Sequence, residues 1–271
     1  MSRNPPDSAP AGRTARLAAL RAMLNAGAGA GTAASPVAVQ ARSLSLGVPV
    51  IDRGLANLPA AAVHELVPAS GGDIAAATGF LLALALALKR EDATADRPIL
   101  WLTRRGALHE AGALSGRGLA DLGVDPGHLL LAATRRDEDV LWALEEAARA
   151  GAVAVAVGEI AEAGLKATQR LALAARAQGC PVLLLRAARG LSPSAARSRW
   201  RIAAAPSARL RLAPHVPGRA RWRVVLEKGW RARPGDWILE WDDATHSLRL
   251  AAALADRPIP AGTAEDGRAT A

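Results

Sequence analysis

Asp139 to Val157 reads DVLWALEEAARAGAVAVAV, and its two halves follow different rules. The first half sets charged and apolar residues at helical spacing. Asp137 to Ala150 is therefore predicted to be a helix, with Asp137 or Asp139 placed to cap its start. The second half, Ala152 to Val157, is apolar without a break, as in a strand buried on both faces. The same alternation runs outward in both directions. Upstream lie a strand at Ala62 to Val67, a helix at Ile74 to Lys89, a strand at Pro98 to Leu102, a helix at Leu114 to Leu122 closed by Gly123, and a strand at Leu129 to Leu131. Downstream lie a helix at Thr168 to Gln178 and a strand at Pro181 to Leu185. Apolar strands separated by helices define an α/β fold, a mostly parallel sheet flanked by helices. Past Arg199 the pattern changes: Trp222 to Glu227 and Trp237 to Trp241 alternate apolar and polar residues, and Leu248 to Leu250 follows. These segments predict an antiparallel C-terminal extension.

At 271 residues the chain has room for one medium domain with tails. Residues 1–36 read as a flexible segment with one short amphipathic helix, Thr14 to Asn25, carrying Leu17, Leu20 and Leu24. The folded domain is expected over residues 37–254, and residues 255–271 read as a disordered tail. One phenylalanine and no tyrosine leave the core to aliphatic side chains and tryptophan. The lone Cys180 excludes an internal disulfide and a cysteine-cluster zinc site, and it reads as a small core residue. No apolar signal core follows the first charges, so the cytoplasm is the expected compartment. The apolar run Ile74 to Leu88 is interrupted by Thr78 and Gly79 and ends at Lys89-Arg90. It is expected to be a buried helix, too short for a comfortable membrane span.

The order of these pieces resembles the RecA recombinase core. Leu44-Ser-Leu-Gly47 with Ile51, Asp52 and Leu55 is similar to the segment that leads into that core, and Leu58 to Glu65 is similar to the strand before its phosphate loop. Asp139 to Val157 is similar to the helix and strand that end at the Walker B site. Within the superfamily, VHEL, LWALEEAARAGAVAVAVGEI, SRWRIAAAPS and GDWILEWDDATHSLRL resemble the ImuA family, over roughly Val37 to Leu250. The resemblance implies a RecA-like domain acting in translesion synthesis and mutagenesis after DNA damage. It also implies partners: an ImuB-like polymerase homologue and an error-prone DNA polymerase, with RecA and single-stranded DNA as further candidates. Localisation would be cytoplasmic, at the nucleoid when DNA is damaged.

A working phosphate loop reads GxxxxGK[ST]: backbone amides wrap the phosphates, the lysine neutralises them and the hydroxyl holds Mg²⁺. The corresponding stretch here is Val67-Pro-Ala-Ser-Gly-Gly-Asp-Ile74. Val67 stands at the first glycine, Gly71 and Gly72 precede the substituted pair, Asp73 stands at the lysine and Ile74 at the hydroxyl. A carboxylate at ~4 Å from a phosphate charge costs about 4 kcal/mol at an effective dielectric of 20. Asp73 is expected to cap the helix instead. Gly158 stands where the Walker B strand should end in a carboxylate, and Glu159 follows it, one residue displaced and turned to the other sheet face. Thr103-Arg104-Arg105 replaces the stretch in which active relatives keep a water-activating glutamate. No catalytic residue, nucleotide cofactor or metal is expected. Asp242, Asp243 and His246 read as a polar turn, with a metal site the lesser alternative.

Charge is segregated. The formal net charge is +9, and from Arg186 to Arg233 there are thirteen basic residues against one acid, Glu227. This stretch begins where the resemblance places the second flexible, DNA-contacting loop of RecA. Arg189, Arg197, Arg199 and Arg201 suit phosphate contacts and Trp200 suits base stacking; the competing reading makes Trp200 core and the arginines solvated. Arg221, Arg223, Trp230, Trp237 and Trp241 are the candidate partner surface, because Trp and Arg are enriched at binding hot spots; packing under the sheet competes for Trp237 and Trp241. Two other functional classes stay open: a RecA-like ATP-dependent DNA-binding protein and a SulA-like cell-division inhibitor.

Overall fold

The computed structural model describes residues 42–91, 96–186, 192–207 and 218–252, without the side chains of residues 109–111 and 252. A short helix, α1 (Pro49–Leu55), precedes β1 (Val63–Pro68). Then follow α2 (Ile74–Arg90), β2 (Ile99–Arg104), α3 (Arg105–Ala111), α4 (Gly116–Asp121) and β3 (Leu129–Thr134). Next come α5 (Asp137–Ala150), β4 (Val155–Ile160), α6 (Leu165–Gln178) and β5 (Val182–Arg186). The last described elements are β6 (Ser198–Ala205), β7 (Arg221–Gly229), β8 (Gly235–Asp242) and β9 (Ser247–Ala252).

Among the described residues, nine strands form one sheet in the order β3-β2-β4-β5-β1-β6-β7-β8-β9. The six strands from β3 to β6 pair in parallel. The last three add on in antiparallel register. One apolar cluster joins α1, α2 and α4 to the tryptophans of the extension, and the other joins α5 and α6 to the opposite face. On α2, Phe80, Leu81, Leu82, Leu84 and Leu88 are buried, at about 2 kcal/mol for each fully buried side chain. Trp222 packs against α2 beside Gly79, and the Phe80 and Trp222 rings meet edge to face at 5.9 Å. The 3-10 turn Gly71–Asp73 continues into α2, so the helical stretch Gly71–Arg90 reaches 20 residues with a mean hydropathy of 1.8. It is longer than the apolar run suggested, and half of it is buried in the protein.

Three details depart from the sequence reading. The strand expected at Ala152 to Val157 occupies Val155–Ile160 instead, because Gly151 takes a left-handed conformation and the next three residues are spent returning to the sheet. β3 is an edge strand, and Leu131 on it is exposed. Asp137 does not cap α5; its carboxylate accepts from the amides of Ala161 and Glu162 after β4 and pairs with Arg104 at 2.9 Å. The short helix α3 had no apolar periodicity to announce it. The segment read as flexible, residues 1–36 with the short helix expected at Thr14 to Asn25, and the tail at residues 255–271 lie outside the described residues.

Candidate functional site

The carboxyl ends of β1, β2 and β4 meet the start of α2, and the phosphate-loop stretch lies there. β1 stays in the sheet up to Pro68, buried along its whole length, with Val67 opposite Arg201 and Pro68 opposite Ile202. The Ala69 amide donates to the Ile202 carbonyl at 2.7 Å. Ala69 and Ser70 alone link the strand to the Gly71–Asp73 turn. A phosphate loop swings out from its strand so that successive amides surround the anion, with left-handed residues shaping the nest. Gly71 and Gly72 have ordinary φ values, and the chain turns tightly into the helix. Ile74 is half-buried against the core.

Asp73 sits at the N-cap position of α2, but its side chain does not cap the helix. One carboxylate oxygen accepts from Ser70 Oγ at 2.6 Å and the other from the Ala204 amide of β6 at 2.9 Å. The 3-10 turn aims the carboxylate at the sheet rather than at the first helical amides. The Ser70 hydroxyl, then the Ala204 amide, holds the carboxyl below its ordinary 3.8. The negative group at the lysine position therefore locks the loop to β6.

Beside the loop, a cleft of about 590 Å³ opens between α2, α4 and the ends of β2 and β3, with Thr103 and Glu159 on its wall. Thr103 Oγ1 donates to Glu159 Oε2 at 2.7 Å. Glu159 does lie opposite Gly158, as its displacement implied, but its face is the one that carries the cleft. Gly158 faces α5, where a Cβ would stand 2.5 Å from Leu144 Cδ1 and 3.2 Å from Val140 Cγ1. Of the two arginines after Thr103, Arg104 is taken by Asp137 and Arg105 is exposed.

Sequence reasoning assigned no role to His64 and Glu65, two ionisable residues inside the apolar strand β1 that do not continue into an HExxH metal motif. Both are fully buried. Glu65 accepts from Arg186 at 2.9 Å and from Arg199 at 2.7 Å, a cluster of one acid and two bases. His64 meets Ser198 Oγ through Nδ1 at 2.7 Å and the Ala60 carbonyl through Nε2 at 3.2 Å. Burial drives its pKa from 6.5 down to about 4, against the pull of its bonds to the Ala60 and Pro59 backbone. The only signal was a pair of polar letters in a strand otherwise written in Val and Leu.

The basic candidates fall into two groups. Arg199 is committed to Glu65, Arg201 to Glu227, Arg221 to Glu240 at 2.6 Å, and Arg223 to Asp236 at 2.5 Å. Trp200 is 1% exposed, its indole N–H donates to Ser198, and its ring lies 6.4 Å from that of Trp237. Its ring is enclosed in the core and presents no face for a base to stack on. Trp241 is likewise buried, and Trp237 packs half-buried on the same side. These three belong to the core under the sheet. Arg197 and the exposed Trp230 stand at the other end of β1 and β6 from the phosphate-loop stretch, with the Arg197 guanidinium 4.4 Å over the indole. Arg189 lies outside the described residues. Asp242, Asp243 and His246 form the turn between β8 and β9, where Asp242 accepts from the Ala244 amide at 3.0 Å. No group of three or more metal-ligating residues comes together among the described residues.

Strand order, the placement of the helices and the position of the altered loop define a RecA-like α/β domain. No protein-family model matches the chain. It is 35% identical over 246 residues to Protein ImuA of two Caulobacter vibrioides strains, NA1000 / CB15N and ATCC 19089 / CIP 103742 / CB 15. Each match covers 83% of this chain and 94% of the relative. The chain belongs to the ImuA family.

Proposed function

We propose that this chain is a non-catalytic adaptor in DNA-damage-induced translesion synthesis and mutagenesis, holding an ImuB-like polymerase homologue and an error-prone DNA polymerase together in the cytoplasm, at the nucleoid. RecA and single-stranded DNA are secondary partners in this reading. One observation carries the non-catalytic part: Asp73 replaces the phosphate-binding lysine and is tied to Ser70 and Ala204, which shuts the loop onto β6. Membership of the ImuA family supports the cellular role. A carboxylate in that place repels nucleotide phosphates and leaves no cation to attract them. Calorimetry with Mg-ATP is expected to give no binding in the micromolar range. Stoichiometric micromolar binding would overturn the non-catalytic reading. The adaptor reading is tested by co-expression with an ImuB-like homologue from the same genome: the two are expected to co-purify at moderate salt, and separate elution would refute it.

A further inference from the structure

At the amino-terminal end of β1 and β6, away from the phosphate-loop stretch, a groove of about 1120 Å³ runs between α6 and the turn joining β7 to β8. Two of the large apolar residues exposed on the described surface line it: Leu173, 70% exposed on α6, and Trp230, 49% exposed in the turn. Ala172 and Ala196 continue the apolar floor, and Gln169 and Ser194 are the neutral polar side chains of the lining. Arg42, Arg176, Arg197, Lys228 and Arg231 are its charged lining residues, and no carboxylate is among them.

This rim differs from the rest of the basic segment. Arg199, Arg201, Arg221 and Arg223 are each paired with a carboxylate, whereas among the described residues Arg176, Arg197, Lys228 and Arg231 reach no carboxylate within salt-bridge distance. The aromatic anchor is preset. The Trp230 amide donates to the Arg197 carbonyl at 2.8 Å, and the guanidiniums of Arg197 and Arg231 lie 4.4 and 5.7 Å from its ring. A rigid anchor loses little entropy when a partner covers it.

We propose that this groove is a docking site for an acidic amphipathic segment of a partner protein, with apolar side chains in the groove and Asp or Glu side chains against the cationic rim. Charge complementarity selects the acidic partner. The apolar floor beside a helix face, Gln169, Ala172, Leu173 and Arg176 of α6, selects a helix laid in a groove. A nucleic-acid strand fits less well: two guanidiniums already engage the indole on which a base would stack, and the lining offers few polar groups for base edges. The inference deepens the adaptor reading and depends on it only for the existence of a protein partner.

The test uses the full chain as bait for a displayed library of random peptides. The enriched peptides are expected to share apolar anchors flanked by Asp or Glu. Their affinity should fall at least about tenfold with Leu173→Asp and with the pair Arg176→Glu and Arg231→Glu, the second loss being the more sensitive to salt. All of these residues are on the surface, and an unchanged melting temperature checks each variant; Trp230→Ser replaces any that melts early. Enrichment without acidic character, or peptides indifferent to all the variants, overturns the proposal. So does a labelled oligothymidylate that loses affinity with the same variants while no peptide is enriched, since the groove is then a nucleic-acid site. Co-purification with the ImuB-like homologue separates the two readings. A wild type that keeps the homologue yet enriches no acidic peptide removes the groove and leaves the adaptor; a wild type that binds peptides but not the homologue does the reverse.

Discussion

Gly158 stands where an active RecA-like strand ends in a carboxylate, and restoring that carboxylate is expected to damage the protein rather than revive it. The position faces α5, and an added Cβ would stand 2.5 Å from Leu144 Cδ1, 3.2 Å from Val140 Cγ1 and 3.3 Å from Leu184 Cδ2, all three buried. Gly158→Ala alone overpacks the core and should cost about 2 kcal/mol. For a chain of this size that lowers the melting temperature by roughly 4–8 °C. Gly158→Asp adds the cost of a carboxyl with no polar neighbour on that face. If burial raises its pKa by about 3 units, holding it ionised at neutral pH costs about 4 kcal/mol more. The assay is thermal unfolding followed by circular dichroism for both variants and for each in a Leu144→Ala background. Removing the leucine side chain should relieve part of the Gly158→Ala penalty, with a coupling of about 1–2 kcal/mol. The refuting result is a Gly158→Ala protein that melts within about 1 °C of the parent, because the close approach to Leu144 would then not constrain the fold.

Three further expectations follow from buried or tied groups. Asp73→Ala removes the acceptor for Ala204 and Ser70 and should cost about 1 kcal/mol; because the depressed carboxyl stabilises only while ionised, that loss fades as pH falls below 3.8 and through its folded value, and an Asp73→Ala melting profile parallel to the parent's across that range would contradict it. His64 is neutral when folded and protonates near 6.5 when unfolded, so its contribution is complete above pH 6.5 and is lost as pH falls towards about 4, by roughly 3 kcal/mol; His64→Gln should flatten that part of a denaturant-stability profile, and an unchanged slope refutes it. Glu65→Ala leaves Arg186 buried without its acid and should cost about 3–5 kcal/mol, while the double change Glu65→Leu and Arg186→Leu should cost less; equal losses in urea unfolding would show that the charge pairing does not matter.

The fold was legible because periodicity is local. Unbroken apolar strands and amphipathic helices each announce themselves within a dozen residues, and the switch to alternation after Arg199 marked the antiparallel strands. The altered loop was legible too, since its chemistry lies in consecutive letters from Val67 to Ile74. What failed was everything that depends on a distant partner. The destination of the Asp73 carboxylate is an amide 131 residues away, and Glu65 finds Arg186 at a separation of 121 and Arg199 at 134. Trp200 could be read as a stacking platform or as core, because alternation says that two faces differ and not which one is covered. The groove draws on five separate stretches of chain, with no motif in any of them.

The same distinction decides how the charge of +9 should be read. A run of arginines on antiparallel strands suggests a stripe for a polyanion, yet on this sheet much of it is spent across the strands. Arg221, Glu240 and Arg249 are register neighbours on β7, β8 and β9, and both guanidiniums bond the one carboxylate. Burial opposes the ionisation of Glu240, but its bonds to Arg249 and Arg221 prevail and hold its pKa below the ordinary 4.5. Arg223 with Asp236 and Arg201 with Glu227 repeat the device nearby, and such cross-strand pairs fix register at about 0.2–1 kcal/mol each. A cation paired in this way must lose its carboxylate before it can serve a phosphate, and it leaves that carboxylate to repel the same ligand. Among the described residues, Arg176, Arg197, Lys228 and Arg231 are free of that cost and gather at the amino-terminal end of β1 and β6, beside the apolar floor of the groove. Net charge therefore overstates how much of the sheet is open to a polyanion and says nothing of where the open cations lie. Their position beside Leu173 and Trp230 suits an acidic partner that brings apolar side chains of its own.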